Sequence, residues 1–329
     1  MFPDKINRKS AIVITCLPHL APYVRQEVES MNYRVRTELP TSVELPGDLS
    51  DAVALNLGLR TASKVLYQIR KMKCDSVDAL YSNITSIPWE LYFTDESYIT
   101  VESNTDHPDI RNLMFLNQRV KDAVVDRFIR LFDHRPDSGP EKDGIVINIW
   151  WKGTDLTVSL DTSGRSLAKH GYREYTTMAP LQECLAAALV MATGWDFKRP
   201  FVNPMCGSGT IAIEAALLAA DIAPNRSRSG FSFMNYKGFD VEKFEAMRSG
   251  DKPVLPSGKL IYASDSDPVA VRSARKNAEL AGVEGMIEFE TADYRECTIP
   301  TESGVVFLNP PYDDRIEVAD IDQLYSEIG

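Results

Sequence analysis

Four short segments in the second half of this 329-residue sequence carry residue types suited to chemistry on a bound small molecule. The first is Phe201-Val202-Asn203-Pro204-Met205-Cys206-Gly207-Ser208-Gly209-Thr210, which runs from an apolar strand through a glycine turn into an apolar helix. Such a turn gathers backbone N–H groups around a polar ligand, and Gly207 and Gly209 let the chain approach it closely. Asn203, Pro204, Cys206, Ser208 and Thr210 belong to the same turn and are ligand-binding candidates with it. No Gly-Lys-[Ser/Thr] follows, so this is not a phosphate P-loop, and the third glycine of the dinucleotide fingerprint is absent. Taken alone, the turn fits a purely structural role equally well. The second segment is Ala263-Ser264-Asp265-Ser266-Asp267-Pro268. An acid at the end of a second strand suits ribose hydroxyls, because one carboxylate accepts from both. Asp265 takes that role, and Asp267, directly before Pro268, is the helix cap. The third, Thr291-Ala292-Asp293, ends a third strand; by itself Asp293 is a loop aspartate.

The fourth segment is Leu308-Asn309-Pro310-Pro311-Tyr312, after an apolar strand. A proline-rich turn would also end a strand this way. However, the segment falls at the carboxyl end of a fourth strand, where open α/β sheets bind ligands. An exocyclic amino group on a base or amide is a weak nucleophile, since its lone pair is delocalised. The Asn309 side-chain oxygen and the Pro310 carbonyl can accept its two hydrogens and hold the nitrogen for attack on an electrophilic methyl. Tyr312 offers a stacking face for a planar target. No strong base is needed, so catalysis would be mainly positioning.

The elements needed to place these segments are legible around them. Helix 180–193, a strand ending at Val202, helix 208–220, strand 259–264, helix 268–281, strand 286–291 and strand 304–308 alternate, which predicts a doubly wound parallel sheet. The first half reads as α+β. It has strands at 10–16, 63–70 and 97–103, and a helix at 20–31 with Pro22 in its first turn. A second helix, 50–59, is capped by Asp48. Helix 111–133 carries Leu113, Leu116, Val120, Val124 and Leu131 as its apolar stripe. Strands 145–151 and 154–160 form a hairpin. Residues 161–175 are polar and glycine-containing, and read as a linker.

Together the four segments look like a class I S-adenosylmethionine-dependent methyltransferase. That likeness implies S-adenosylmethionine as cofactor, with its methionine part on the glycine turn, its ribose on Asp265 and its adenine amino group on Asp293. Longer stretches make the resemblance closer. Leu181–Trp195, the Asn203–Thr210 turn, Ala215–Phe239 and Asn309–Tyr312 resemble the THUMP-domain RNA guanine-N2 methyltransferases, among which the bacterial large-subunit rRNA enzymes are the nearest type. In the first half, Gly47–Ala52, Leu59–Ser63, Ile87–Trp89, Arg119–Ala123, Asp126–Phe128 and His170–Arg173 are similar to that family's ferredoxin-like plus THUMP arm. The resemblance implies a ferredoxin-like part at 1–48, an RNA-binding THUMP domain at 49–163, a linker at 164–179 and a methyltransferase domain at 180–329. It further implies methyl transfer to the N2 of a guanine in 23S rRNA. A tRNA guanine enzyme and a catalytically weak ribosome assembly factor are the alternatives. The family usually has Asp where this chain has Asn203, so the carboxylate charge toward the donor is missing.

Composition sets the remaining bounds. Hydrophobic residues are 44% and charged residues 25%, which excludes a disordered or collagen-like chain. No apolar run is long enough to span a membrane. The five scattered cysteines form no C-x-x-C, which predicts neither a disulfide scaffold nor a metal site and suits a cytoplasmic protein. The net charge of −11 argues against nucleic acid at first sight. Yet residues 1–170 carry 21 basic and 23 acidic side chains, while 171–329 carry 15 and 24. RNA contacts are therefore sought locally, at Arg119 and Lys121 on the long helix and at Arg165, Lys169 and Arg173 in the linker. Arg226 and Arg228 in the 221–258 insert, which interleaves with Phe231, Phe233, Tyr236 and Phe239, complete the set. The linker and insert groups fit a solvated linker or packing loop equally well, and Arg119 is more often just part of a charged helix flank. Only 17 residues follow Tyr312. A seven-stranded methyltransferase sheet needs roughly 50–70 more, so the sequence is expected to be a truncated form of a longer protein, with one helix at 320–329.

Overall fold

In the computed structural model, which describes residues 1–176, 181–250, 258–300, 303–310 and 326, the chain divides into two units. The first comprises residues 1–170 and 223–252, the second residues 171–222 and 253–329. Chain order in the first half is β1 (Ser10–Cys16), α1 (Ala21–Ser30), β2 (Thr37–Leu39), β3 (Ser42–Gly47), α2 (Leu49–Gly58), β4 (Ala62–Lys73), α3 (Val77–Ser86), β5 (Tyr98–Thr105), α4 (Leu113–Phe132), β6 (Asp137–Ser138), β7 (Ile145–Lys152) and β8 (Asp155–Asp161). It continues with α5 (Glu183–Ala192), β9 (Phe201–Pro204), α6 (Thr210–Ala219), α7 (Val241–Ser249), β10 (Ile261–Asp265), α8 (Pro268–Ala281), β11 (Ile287–Thr291) and β12 (Val305–Val306).

The first unit is built on one eight-stranded sheet in the order β2-β3-β1-β4-β8-β7-β5-β6. The long strand β4 pairs with β1 at one edge and β8 at the other, both antiparallel. That pairing runs the sheet without a break through both halves of the expected arm. The β7–β8 hairpin turns at Gly153, in register Lys152 opposite Asp155. Helix α2 begins where Asp48 predicts: its carboxylate accepts from Ser50 and Asp51, and Asp51 answers by accepting from the Asp48 amide. Such a reciprocal cap contributes about 1 kcal/mol. On α4 the buried face is Leu116, Val120, Ala123, Val124 and Phe128, whereas Leu113 and Leu131, expected on the stripe, are about half exposed. The helix is shorter than the pattern suggests, and its first and last turns extend beyond what covers the middle.

Residues 223–252 pack into this unit through an aromatic core. Phe231, Phe233, Tyr236 and Phe244 are buried, with Phe231 stacked on Phe233 at 4.8 Å and Phe239 tilted against Phe233, Phe244 and Phe2. Fully buried Asn225 donates to the carbonyls of Asn56 and Leu59. Among the described residues the insert is thus a packing segment, and the buried rings of Phe231, Phe233 and Tyr236 offer no platform for bases.

The second unit is α/β. Its sheet has the order β11-β10-β9-β12, with every pairing parallel. In chain order these strands run 3-2-1-4. Helices α5, α6 and α8 contribute Ala186, Val190, Ile211, Ile213, Ala215, Ala274 and Ala278 to its core, packed with Phe201, Ile261 and Ile287 from the strands. Among the described residues no helix is long and apolar enough to cross a membrane, and no cluster of metal-ligating side chains occurs. Pro311, Tyr312 and the expected helix at 320–329, apart from Ser326, lie outside the described residues.

Candidate active site

The 3-2-1-4 order places the reversal of strand order between β9 and β12. The chain leaves β9 toward β10 on one side and reaches β12 on the other. The loops that follow β9 and β12 part there, and the crevice between them is where such sheets bind ligands. The glycine turn continues directly from β9, and Asn309-Pro310 follows β12 by two residues beyond Phe307.

Asn203 sits at this point, fully buried on β9. Its Nδ2 donates to the Phe307 carbonyl at 2.9 Å, tying the two strands together just below Asn309. Its Oδ1 is buried and has no hydrogen-bond partner among the described residues. A buried acceptor left without a donor costs roughly 1–3 kcal/mol, so this oxygen is a natural docking point for a ligand N–H.

The turn is held from β10. Cys206 N–H donates to the Ser264 carbonyl at 2.9 Å, and Gly207 N–H donates to Asp265 Oδ2 at 2.9 Å. Asp267 N–H donates to Asp265 Oδ1 at 3.0 Å. Asp265 therefore organises the turn as well as being able to bind a ligand, since a carboxylate has about four acceptor sites and two are used. Asp267 caps α8 through Val269 N–H at 2.7 Å. Gly209 has φ +84°, and a Cβ there would meet the Ala274 Cβ at 2.8 Å. Its bareness thus serves contact with α8; the sequence assigned it to close approach of a ligand. Ser208 and Thr210 are buried. Burial pushes the Cys206 thiol above its ordinary range, with the Asp265 charge adding to the effect. Asp293 is clasped by its neighbour Arg295, with the guanidinium Nε at 2.9 Å, and this contact holds its carboxyl below the usual range.

Two buried positions stabilise the turn from behind, and sequence reasoning missed both roles. Asn277, fully buried on α8, accepts from the amides of Glu174 and Tyr175 and donates to the carbonyls of Tyr175 and Ser208. An amide inside an Ala-rich helix face was the available signal. Arg173, expected to meet RNA, is instead buried within the second unit. It pairs with Glu183 at 3.2 Å and donates to Thr210 Oγ1 and the Leu181 carbonyl. Next to it, Tyr172 donates to Glu214 at 2.8 Å, and burial together with that charge raises the phenol's pKa well above its usual value.

The other expected RNA contacts lie in the first unit. Arg119 sits over the Tyr81 ring at 4.4 Å and near Asp78; Lys121 is half-buried on the same helix. Arg165 makes a two-pronged contact with Asp143, at 2.7 and 2.8 Å. Arg226 donates to the Ser249 carbonyl, and Arg228 to the carbonyls of Ser166 and Gly230. Lys169 is exposed.

Residues 170–329 match the RMKL-like methyltransferase domain, residues 11–66 the RlmL ferredoxin-like domain and residues 74–161 the THUMP domain. The chain belongs to this THUMP-domain, RMKL-like methyltransferase family. A ribosomal RNA large subunit methyltransferase K/L of Psychromonas ingrahamii is 35% identical over 320 residues, 94% of this chain and 42% of its own length. The chain spans less than half the length of the curated relatives it matches. A Listeria monocytogenes protein described as a predicted N6-adenine-specific DNA methylase superposes with a TM-score of 0.86 at 30% identity, over 98% of this chain and 85% of that one. SMU.472, described as a methyltransferase and complexed with SAH, gives 0.86 at 27% identity, over 97% and 85%.

Proposed function

We propose that this chain transfers a methyl group from S-adenosylmethionine to the exocyclic N2 of a guanine in 23S rRNA. The observation that carries the reading is the junction of β9 and β12. There a glycine turn, a carboxylate with spare acceptor sites and Asn309-Pro310 all gather at one reversal of strand order. The relatives named as large-subunit rRNA methyltransferases support the RNA target, and the SAH complex of SMU.472 supports the donor. The residues fit that donor. Asn203 Oδ1 is an unpartnered buried acceptor suited to the amino group of its methionine part, and Asp265 can accept from ribose hydroxyls.

When bound, the donor supplies a methyl group on a positively charged sulfur. The protein's part is to fix the acceptor. Asn309 and Pro310 oxygens accept the two amino hydrogens and aim the nitrogen, and the Asn203–Phe307 bond fixes the strand that presents them. The amino proton becomes acidic only as the nitrogen is alkylated, so water can take it. In this reading residues up to 163 form an arm that holds RNA and those from 180 the catalytic domain. In this reading the chain works in the cytoplasm, a reducing compartment in which cysteines stay unpaired.

Calorimetric titration with S-adenosylmethionine, followed by transfer of labelled methyl to 23S rRNA and nucleoside mass spectrometry, tests the proposal. The expected product is one 2-methylguanosine. Label appearing as N6-methyladenosine, the target named for the Listeria protein, or only in tRNA would overturn the assignment of the target. Absence of donor affinity would favour the assembly-factor role.

A further inference from the structure

We propose that the open face of the large sheet, centred on Trp150, is a platform for single-stranded RNA. The idea rests on RNA being the substrate and assigns where that RNA is held. Strand β7 reads Ile-Val-Ile-Asn-Ile-Trp-Trp-Lys, and its two adjacent tryptophans have opposite fates. Trp151 is fully buried, stacked on His107 and bonded to the Cys74 carbonyl, whereas Trp150 is 48% exposed, between β5 and β8 near the end of β7. Successive residues of a strand point to opposite faces, and residues paired across strands share one.

The register therefore defines what surrounds Trp150. Asn104 on β5 and Thr157 on β8 lie directly opposite it, and Lys71 on β4 lies opposite Thr157. The next row on the same face is Glu102, Asn148, Ser159 and Gln68. On the other side Lys152 faces Asp155, which Lys73 pairs at 2.8 Å. Asn104, Lys71 and Lys152 are exposed, and neither Lys71 nor Lys152 has an ion-pair partner among the described residues. A tryptophan anchoring a protein partner sits in an interface core from which charged side chains are depleted. This one is ringed by amides, hydroxyls and ammonium groups, which bond base edges and phosphates; the two carboxylates on the face, Glu102 and Asp155, are each paired with lysine, and the indole offers its face to a base. Only an unpaired, splayed base can lie on it, which selects single strands over duplex.

The test uses the full chain and fluorescently labelled short oligoribonucleotides, single-stranded and in matched duplex. Trp150→Ala should weaken single-strand binding roughly five- to hundredfold, the range of one base–aromatic stack. Trp150→Phe should keep most of the affinity, which separates stacking from loss of fold, and thermal melts of both variants verify folding. Lys71→Gln and Lys152→Gln should each lower the salt slope of log affinity by about 0.7. Wild-type binding to RNA with unchanged affinity in Trp150→Ala would overturn this platform and leave the RNA substrate standing. A wild type that binds no RNA would overturn both. A dimer that Trp150→Ala dissolves, with RNA affinity intact, would mark the face as a contact between copies and also overturn it.

Discussion

Arg173→Ala separates two physical roles for one basic residue. The Arg173 side chain is 9% exposed and its partner Glu183 is 3% exposed. Removing the cation leaves the Glu183 carboxylate, in the first turn of α5, buried with no counter-charge among the described residues, and strips a donor from Thr210 and from the Leu181 carbonyl. Breaking a buried pair from one side costs about 3–5 kcal/mol. For a domain of this size, at about 4 °C per kcal/mol, the second unit should melt some 12–20 °C lower. Differential scanning calorimetry at low and high salt reads this directly, and the loss should persist at high salt because a buried pair is screened little. Arg173→Met combined with Glu183→Leu should recover much of it, since no charge is then stranded. The reasoning fails if Arg173→Ala melts with the wild type and instead lowers the salt slope of RNA binding by about 0.7. Arg173 would then be the phosphate contact that its place in a basic, polar segment suggests.

Three further outcomes follow from the same structure. Asn309→Ala should leave donor affinity intact by calorimetry and slow methyl transfer roughly hundredfold or more, as loss of one preorganised contact does; Asp265→Ala should do the reverse and weaken the donor, and a swap of these two effects would refute the assigned roles. Gly209→Ala forces a side chain into left-handed backbone and against Ala274, for a combined cost of about 2–5 kcal/mol in denaturant unfolding; unchanged stability would show that α8 can give way. In the first unit, Arg127 holds the Glu90 carboxyl below the usual range through two hydrogen bonds, at 2.6 and 2.8 Å. A depressed carboxyl contributes stability that is complete above the ordinary carboxylate range and is lost as pH falls through it. The stability gap between wild type and Arg127→Ala should therefore close on acidification, and a gap independent of pH would exclude this linkage.

What the sequence discloses about this chain follows the distance over which each signal acts. The glycine turn, the Asp267 cap, the Asp48 cap and the strand–helix alternation depend on neighbours within a few residues, and all are legible in the letters; the 3-2-1-4 strand order is set by pairings between distant segments and is not. Phe231, Phe233 and Tyr236 are not. Rings interleaved with Arg226 and Arg228 read the same whether they stack on bases or on each other, and only their contacts with Phe2 and Phe244 decide between the two. The same holds for Arg173, whose partners Glu183 and Thr210 are ten and 37 residues away. Asn203 shows the converse. The letter change from the family's Asp reads as a lost charge. In the fold, its amide donates to the Phe307 carbonyl, a bond an ionised carboxylate has no proton to make. Asn203→Asp should therefore loosen the β9–β12 junction in the donor-free chain while strengthening attraction for a donor ammonium. Stability should fall as pH rises through the buried acid's raised pKa, because only the protonated form donates to Phe307. Thermal melts across pH, with and without S-adenosylmethionine, separate the two effects. A variant as stable as wild type at pH 8 without donor would show that the strand tie is not what Asn203 contributes.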